Sequence, residues 1–349
     1  MAGTTNEEPR QEHRPAVAAA VEMVANGAPM PAALAEAAME ELMDGAAPAT
    51  QVAALLSMMR LRGETPEELA AFARVMRSRA VRVHAPEDAV DLCGTGADGS
   101  GTFNVSTLAS LVVAGAGVPV AKHGNRAITS RSGSADLVEA LGIPLDPGPE
   151  AVGRSIAETC FGFIFAPSYH PALKHAMPIR RELPIRTVFN LLGPISSPAG
   201  VRRQLLGVAD ERLLPLIAGA LARLEVDRAL VVHSPEGLDE LSLNGMNRAM
   251  LVEGRMAGEM EIDARELGLT PAPAAALAGG DAQLNAAIAV SVLGGEPGPA
   301  RDVTLLNAGA ALFVAGRASD VREGIAMAAE SIDSGSAADV VTAAARIAA

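Results

Sequence analysis

Cysteine, membrane-spanning apolar runs and positive charge are all scarce in this sequence. Its 349 residues include two cysteines, Cys93 and Cys160, which form no CxxC pair. Their spacing argues against structural zinc and fits a reducing compartment. The longest apolar run, 108–121, is too short and too interrupted by glycine to span a bilayer. Residues 1–14 are polar and charged, so we expect a disordered tail, no signal segment, no membrane partner and a cytoplasmic protein.

The low number of positively charged residues indicates which classes of binding partner to expect. The chain has 28 Lys and Arg against 41 Asp and Glu, which gives a net charge of −13. Because nucleic-acid-binding proteins usually show a basic surface, we expect no nucleic-acid partner. An acidic protein that binds a phosphorylated small molecule must concentrate its cations locally or recruit a metal.

Glycine, in contrast, is concentrated in two loops, each between an apolar run and a helical pattern. The loops are 94–107 (GTGADGSGTFNVST) and 122–134 (KHGNRAITSRSGS), after predicted strands 89–93 and 118–121 and before predicted helices 108–114 and 135–141. Glycines let backbone amides converge on an anion, and helix starts add free N–H groups and positive dipole ends. With hydroxyls and the cations Lys122, Arg126 and Arg131, the pattern predicts a phosphate-binding cradle.

Three other interpretations of these loops are weaker. Glycine and serine also make flexible surface loops, but two such loops at equivalent positions favour a binding role. No Gly-x-x-x-x-Gly-Lys-Ser/Thr motif is present in the sequence. Gly94, Gly96 and Gly99 formally match the dinucleotide fingerprint, yet residues 112–121 contain no acid to bind a ribose, so we discard that interpretation.

The hydrophobic patterns predict an α/β fold: a small N-terminal all-helical domain plus a larger α/β domain with a mostly parallel central sheet flanked by helices. Helical patterns cover 15–25, 31–43, 49–62 and 66–80 without an intervening strand. Further on, predicted strands 161–166, 204–208 and 229–232 alternate with predicted helices 150–160 and 212–224. A hairpin of 249–252 and 259–262 and helices at 283–293, 299–315, 319–332 and 336–348 complete the prediction.

Two later stretches also carry chemistry. Residues 167–186, which follow the third predicted strand, contain four Lys or Arg and two His against one acid. Ligands of α/β proteins bind at the carboxyl ends of strands, so this stretch is a candidate binding segment. Asp239 and Glu240 lie just past another predicted strand. Adjacent carboxylates of this kind can hold Mg²⁺ while substrate phosphates complete its coordination.

Four motifs in order give a specific resemblance. They are 94–107, then KHGNR at 122–126 with SGSAD at 132–136, then HPALKH at 170–175 through Arg180 to NLLGP at 190–194, and finally GLDE at 237–240. Over residues 15 to 346 the sequence resembles the anthranilate phosphoribosyltransferase family. The resemblance implies a helical domain at 15–85, joined by helices from about 168 to 186, and an α/β domain formed by 86–167 and 187–349. It also implies a homodimer formed through the helical domain.

The activity that the resemblance implies is transfer of phosphoribose from phosphoribosyl pyrophosphate to the amine of anthranilate, with Mg²⁺ as the metal. Lys122 and Arg180 would be catalytic. The phosphoribosyl pyrophosphate site would comprise Gly94, Ala97, Asp98, Thr102, Asn104, Val105, Ser106, Thr107, Lys122, His123, Gly124, Asn125, Arg126, Ala127, Ile128, Thr129, Ser130 and Ser134. The anthranilate site would comprise Gly94, His123, Asn125, His170, Arg180 and Pro194, and Mg²⁺ would be held by Ser106, Asp239 and Glu240.

The chain departs from the family pattern in two places. Ala97 replaces a glycine that is usual in the first loop, which costs about 1 kcal/mol if that position requires a positive φ. Residues 245–248 (GMNR) replace the usual Gly-x-Thr. The alternatives are a pyrimidine nucleoside phosphorylase, for which a Lys-x-Ser-x-Gly-Gly loop is expected, and a non-catalytic nucleic-acid-binding relative, for which a basic chain without His170 and Arg180 is expected.

Overall fold

The computed structural model describes residues 15–96, 99–127 and 131–347. The tail predicted at 1–14 lies outside the described residues. In the described ranges, no helix is both long and apolar enough to cross a membrane.

The N-terminal part of the described chain is helical, as predicted. Its helices are α1 (Ala16–Ala25), α2 (Ala32–Met43), α3 (Ala49–Arg62) and α4 (Pro66–Ser78). Helix α4 begins at a capping box in which Thr65 Oγ1 accepts from the Glu68 N–H at 3.2 Å and Glu68 accepts from the Thr65 N–H at 2.9 Å. The apolar faces of these helices share one buried core with side chains of the sheet, including Leu206 and Val231.

A seven-stranded sheet forms the centre of the rest of the chain. Its strands are β1 (Val90–Gly94), β2 (Val120–Gly124), β3 (Phe161–Phe165), β4 (Arg203–Gly207), β5 (Arg228–His233), β6 (Met246–Glu253) and β7 (Met256–Asp263). Their spatial order is β3-β2-β1-β4-β5-β6-β7. The first five in that order are parallel, and β6 and β7 form an antiparallel hairpin. The expected mostly parallel sheet is confirmed.

Helices cover both faces of the sheet, which accounts for its strongly apolar strands. The helices of this part of the chain are α5 (Val105–Gly115), α6 (Ser134–Ala140), α7 (Pro149–Thr159), α8 (Ala166–Tyr169), α9 (Met177–Glu182), α10 (Phe189–Leu192), α11 (Leu214–Arg223), α12 (Ala282–Leu293), α13 (Pro299–Val314), α14 (Val321–Asp333) and α15 (Ser336–Ile347). Helix α13 is buried along most of its length and packs on α5 and α14.

The order of the parallel strands creates a crevice at the carboxyl ends of the central strands β1 and β4. The chain proceeds outward from β1 to β2 and β3 on one side, whereas β4 and β5 lie on the other side of β1. Loops that leave the carboxyl ends of β1 and β4 therefore diverge, and ligands of α/β proteins bind at such a switch point. Gly94 and Gly207, which end these two strands, are register partners.

The segment after β3 leaves the sheet and returns to it. A 3-10 helix (Pro171–His175) contacts α2, α9 contacts α3, and α10 leads back through Gly193 and Pro194 to the edge of the sheet. The segment thus bridges the helical part and the sheet. The domain boundaries at 85, 167 and 186 stay a prediction.

Candidate active site

A cavity of about 520 Å³ opens at the switch point. Its wall combines the loop after β1, the first turn of α5, the end of β2, the start of α6, Gly193 with Pro194, and the acidic pair Asp239 and Glu240. Four stretches that are distant in sequence therefore meet in one space.

Most of the predicted site residues that the structure describes line this cavity. They are Gly94, Thr102, Asn104, Val105, Ser106, Thr107, Lys122, His123, Gly124, Asn125, Ser134, Pro194, Asp239 and Glu240. Four other described residues, Arg126, Ala127, His170 and Arg180, lie outside the lining. The remaining predictions, Ala97, Asp98, Ile128, Thr129 and Ser130, fall outside the described residues.

Several residues of the wall were not among the predicted site residues. Arg131 is an exposed cation in the wall, and Phe103, Ser132 and Gly193 also contribute to it. Arg131 is one of the cations assigned from the sequence to the phosphate-binding cradle, although it was not included among the site residues. Phe103 and Gly193 carry no chemical signal of their own, and only their placement reveals them.

Lys122 and His123 lie in a strand, and not in a loop as predicted. Strand β2 continues to Gly124, and Lys122 is only 2% exposed. The polar identity of the two residues suggested a loop, but their side chains serve an internal site. Lys122 Nζ donates to the Leu92 carbonyl of β1 at 2.5 Å and lies 3.4 Å from Ser106 Oγ. The ammonium group is thereby aimed at the first turn of α5.

Asp239 occupies a space that two glycines leave open. A Cβ atom at Gly94 would overlap the Asp239 carboxylate, and one at Gly207 would overlap the Asp239 main-chain carbonyl. The loop after β5 can therefore lie directly over the ends of β1 and β4. In this position Asp239 Oδ2 accepts from the Gly96 N–H at 2.6 Å. Gly207 was not predicted, since glycines often end strands that lie far from any binding site.

Glu240 joins the same loop to α5. Its Oε1 accepts from the Ser106 N–H at 3.1 Å. This acceptor caps a free N–H group of the first turn, so α5 begins at Val105 and not at Leu108, where the apolar pattern had placed its start. Burial and the neighbouring Asp239 carboxylate raise the pKa of Glu240 to about 8.

The acidic pair fits a Mg²⁺ ion that takes only some of its ligands from the protein. Within the described ranges, no cluster of three or more His, Cys, Asp or Glu side chains could hold a metal by itself. Mg²⁺ sites in proteins often use one or two carboxylates together with substrate phosphates. Asp239 and Glu240 are hard oxygen donors next to Ser106. Burial, and after it the Asp239 charge, raise the pKa of Glu240, and a bound cation would favour the ionised form of both carboxylates.

Two neutral histidines lie beside the cavity. The rings of His123 and His170 are 5.3 Å apart between centroids, with an angle of 58° between their planes. Burial lowers the pKa of His123 to about 3 and that of His170 to about 4, so both rings are uncharged at neutral pH. The half-buried Arg180 guanidinium lies 5.0 Å from the centroid of the Phe189 ring. Because the uncharged His123 ring and Pro194 both line the cavity, its wall includes a surface suited to an uncharged aromatic ring.

Comparison with known proteins identifies the family. Residues 18–80 match the model of the glycosyl transferase family, helical bundle domain, and residues 86–338 match that of the glycosyl transferase family, a/b domain. An anthranilate phosphoribosyltransferase of Bradyrhizobium sp. is 51% identical over 315 residues, which cover 90% of this chain and 94% of the relative.

Solved structures agree with the sequence relatives. The crystal structure of anthranilate phosphoribosyltransferase from Thermus thermophilus superposes with a TM-score of 0.90 at 45% identity and covers 94% of this chain and 99% of that chain. The enzyme from Saccharomyces cerevisiae in complex with PRPP and Mg gives a TM-score of 0.86 at 27% identity and covers 95% and 97%. The chain therefore belongs to this glycosyl transferase family, among the anthranilate phosphoribosyltransferases.

Proposed function

We propose that the protein transfers the phosphoribosyl group of phosphoribosyl pyrophosphate to the amine of anthranilate, a step of tryptophan biosynthesis. One observation carries the proposal. The cavity wall holds Lys122 and Glu240 beside Ser106 in the first turn of α5, together with Asp239, and it also holds the neutral His123 and Pro194. A polyanion and an uncharged aromatic amine thus find suitable surroundings in one space. The yeast relative bound to PRPP and Mg supports the same assignment.

The phosphate side uses backbone and hydroxyl groups. Thr102, Asn104 and Thr107 lie along the loop and first turn that precede and open α5, whose N-terminal dipole favours anions. Lys122 supplies a fixed positive charge where the leaving pyrophosphate gathers negative charge, so it stabilises the transition state more than the ground state. Because the ammonium is already held by Leu92 and Ser106, little reorganisation is needed during the reaction.

Ser106, Asp239 and Glu240 would hold Mg²⁺ together with the substrate. When bound, the ion neutralises charge on the pyrophosphate leaving group. The Gly96 and Ser106 N–H groups donate to the two carboxylates and hold them at the cavity wall.

The acceptor side binds anthranilate through Gly94, His123, Asn125, His170, Arg180 and Pro194. Arg180 would pair with the substrate carboxylate, which orients the amine toward the ribose C1. An aromatic amine is uncharged at neutral pH, so no strong general base is needed, and the low pKa values of both histidines agree with that. Attack on the face opposite the leaving pyrophosphate inverts the configuration at C1.

Assembly and location follow from the same assignment. We infer a homodimer formed through the helical part, as the family resemblance implies. We also infer a cytoplasmic location, since Cys93 and Cys160 are free thiols.

Loss of anthranilate fluorescence tests the proposed function. Purified protein is mixed with anthranilate and phosphoribosyl pyrophosphate, with Mg²⁺ or with excess EDTA. We expect consumption that requires both substrates and Mg²⁺ and that yields N-(5′-phosphoribosyl)anthranilate. If the folded protein consumes no anthranilate while phosphoribosyl pyrophosphate still binds, the acceptor is a different amine and the proposed function is wrong.

A further inference from the structure

The turn that follows β1 is held from three directions. Its Thr95 N–H donates to the Gly207 carbonyl at 3.0 Å, and its Gly96 N–H donates to Asp239 Oδ2 at 2.6 Å. From the third direction Arg186 Nη2 lies 3.3 Å from the carbonyl oxygens of both Thr95 and Gly96. The peptide between Thr95 and Gly96 is thus bound at both ends, its N–H by a carboxylate and its C=O by a guanidinium.

Arg186 reaches this turn from a distant part of the chain. It lies between α9, which carries Arg180, and α10, which leads to Gly193 and Pro194 of the cavity wall. Next to it the Thr187 N–H donates to Asn190 Oδ1 at 2.9 Å, which fixes the start of α10. No carboxylate of a described residue forms an ion pair with Arg186, so its charge is directed toward the two carbonyl dipoles.

The contact has a consequence for anion binding. Gly96 has φ +66°, a conformation that a glycine adopts easily but that the free chain would exchange for others. A guanidinium on the carbonyl side limits that exchange and keeps the turn in a single orientation. Preorganisation of this kind lowers the entropy that the turn loses when a ligand binds.

We propose that Arg186 is a positioning residue that clamps the turn at Thr95–Gly96 for the phosphoribosyl pyrophosphate, without itself contacting the reacting atoms. Gly94, which also belongs to the proposed anthranilate site, is held separately by its pairing with Gly207 in the sheet. The inference rests on the proposed function, and it adds a residue that acts on one substrate selectively. Arg186 makes no contact with His123, His170 or Arg180 among its described hydrogen bonds. Its loss should therefore weaken binding of the phosphorylated substrate and leave binding of anthranilate almost unchanged.

The test compares Arg186→Ala and Arg186→Lys with Arg223→Ala. Arg223 is a matched control because its Nη1 also donates to a carbonyl, that of Gly219 at 2.9 Å, on the exposed side of α11. Calorimetric titration with phosphoribosyl pyrophosphate in Mg²⁺ measures binding directly, and initial rates give both KM values. Thermal melting shows whether each variant is folded.

We expect Arg186→Ala to raise the Kd and KM for phosphoribosyl pyrophosphate about 10-fold, the size expected for a charge-assisted hydrogen bond. The KM for anthranilate at saturating phosphoribosyl pyrophosphate should change by less than about twofold. Arg186→Lys keeps the positive charge but loses the planar guanidinium, so its Kd for phosphoribosyl pyrophosphate should lie between those of Arg186→Ala and wild type. The Kd of Arg223→Ala should match that of wild type.

The possible outcomes separate the two proposals. If the wild type binds phosphoribosyl pyrophosphate but does not consume anthranilate, the proposed function is wrong while the calorimetric comparison still decides the role of Arg186. If the Kd is the same in the Arg186 and Arg223 variants, the inference is overturned. It is also overturned if both substrates weaken equally, or if Arg186→Ala does not fold and Arg186→Lys binds like wild type, since Arg186 is then only a structural brace.

Discussion

Two carboxylates, Glu68 in the helical part and Asp91 in β1, are completely buried. They differ in how completely their oxygens are hydrogen-bonded. Glu68 accepts from the Met30 N–H at 2.8 Å, from the Thr65 N–H at 2.9 Å and from Arg62 Nη2 at 2.5 Å. Asp91 Oδ1 accepts from the His123 N–H at 3.2 Å, while Asp91 Oδ2 receives no well-aligned hydrogen bond from the described residues.

The same contrast extends to their surroundings. His123 Nε2 and both ring nitrogens of His170 likewise have no well-aligned partner in the described part of the chain. Natural proteins satisfy nearly all buried polar groups, because an unsatisfied group costs about 1–3 kcal/mol. In the helical part, the buried carboxylate of Glu68 accepts hydrogen bonds that join the ends of neighbouring helices. The sheet edge retains incompletely bonded polar groups beside a cavity, which is typical of a functional site.

Glu68→Ala should give the largest change in stability. It leaves Arg62 Nη2 and the buried Met30 N–H without an acceptor and removes the only carboxylate paired with Arg62 among the described residues, so we expect the free energy of unfolding to fall by about 3–5 kcal/mol. The kcat of the folded fraction should stay within about twofold of wild type. Urea denaturation measures the change, with Glu36→Ala as a control, because the half-exposed Glu36–Arg74 pair contributes only about 0–1 kcal/mol. Equal losses in the two variants would contradict the comparison.

The acidic pair at the sheet edge should show the reverse pattern. In Asp239→Asn and Glu240→Gln the amide oxygens can still accept from the Gly96 and Ser106 N–H groups. Stability should therefore be kept or raised, because the repulsion between the carboxylates is removed. We expect kcat in the anthranilate assay to fall about 10²–10³-fold, the size seen when a preorganised electrostatic group is lost. A fall in thermal stability with unchanged kcat is the result that would refute this.

Asp91→Asn separates the buried charge from the shape of the side chain. Burial raises the pKa of Asp91 from 3.8 to about 6, with Lys122 opposing the shift. The folded state then binds more protons than the unfolded state between about pH 4 and 6, so this group lowers stability as the pH rises through that window. The penalty amounts to roughly 3 kcal/mol above the window.

The asparagine variant should abolish that pH dependence. Urea denaturation at about pH 4.5 and pH 7.5 should show Asp91→Asn gaining stability relative to wild type at the higher pH, because the variant carries no buried charge. A constant difference between the two proteins at both pH values would show that Asp91 does not titrate in this range.

Arg180→Ala should give the smallest and most selective effect. We expect the KM for anthranilate to rise about 10-fold through loss of a charge-assisted hydrogen bond to its carboxylate. Binding of phosphoribosyl pyrophosphate should be nearly intact, since the described contacts of Arg180, with Met177 and Phe189, include neither the glycine-rich loops nor the acidic pair. Phe189→Leu removes that packing and is the companion variant. Equal weakening of both substrates would remove Arg180 from the anthranilate site.

The order and type of the main elements could be predicted from the sequence. Apolar periodicity placed the four N-terminal helices, and the predicted start of the fourth at residue 66 is confirmed. Strand boundaries were less accurate. Strand β2 runs to Gly124, because Lys122 and His123 are buried by contacts with β1 and with the wall of the cavity that no local pattern encodes.

The sequence by itself determined which chemical groups are available: the glycine-rich loops, the lysine that follows the second apolar run, the two histidines and the acidic pair. Only the tertiary structure decided which of them meet. Glu240 accepts a hydrogen bond from Ser106, which lies 134 residues away in the chain. Asp239 fits over Gly94 because Gly94 and Gly207 are register partners in β1 and β4, so that two glycines together leave the space open. The physical reason is that β4 pairs with β1 and not with β3, which precedes it in the chain, and pairing between distant strands depends on packing of the whole sheet.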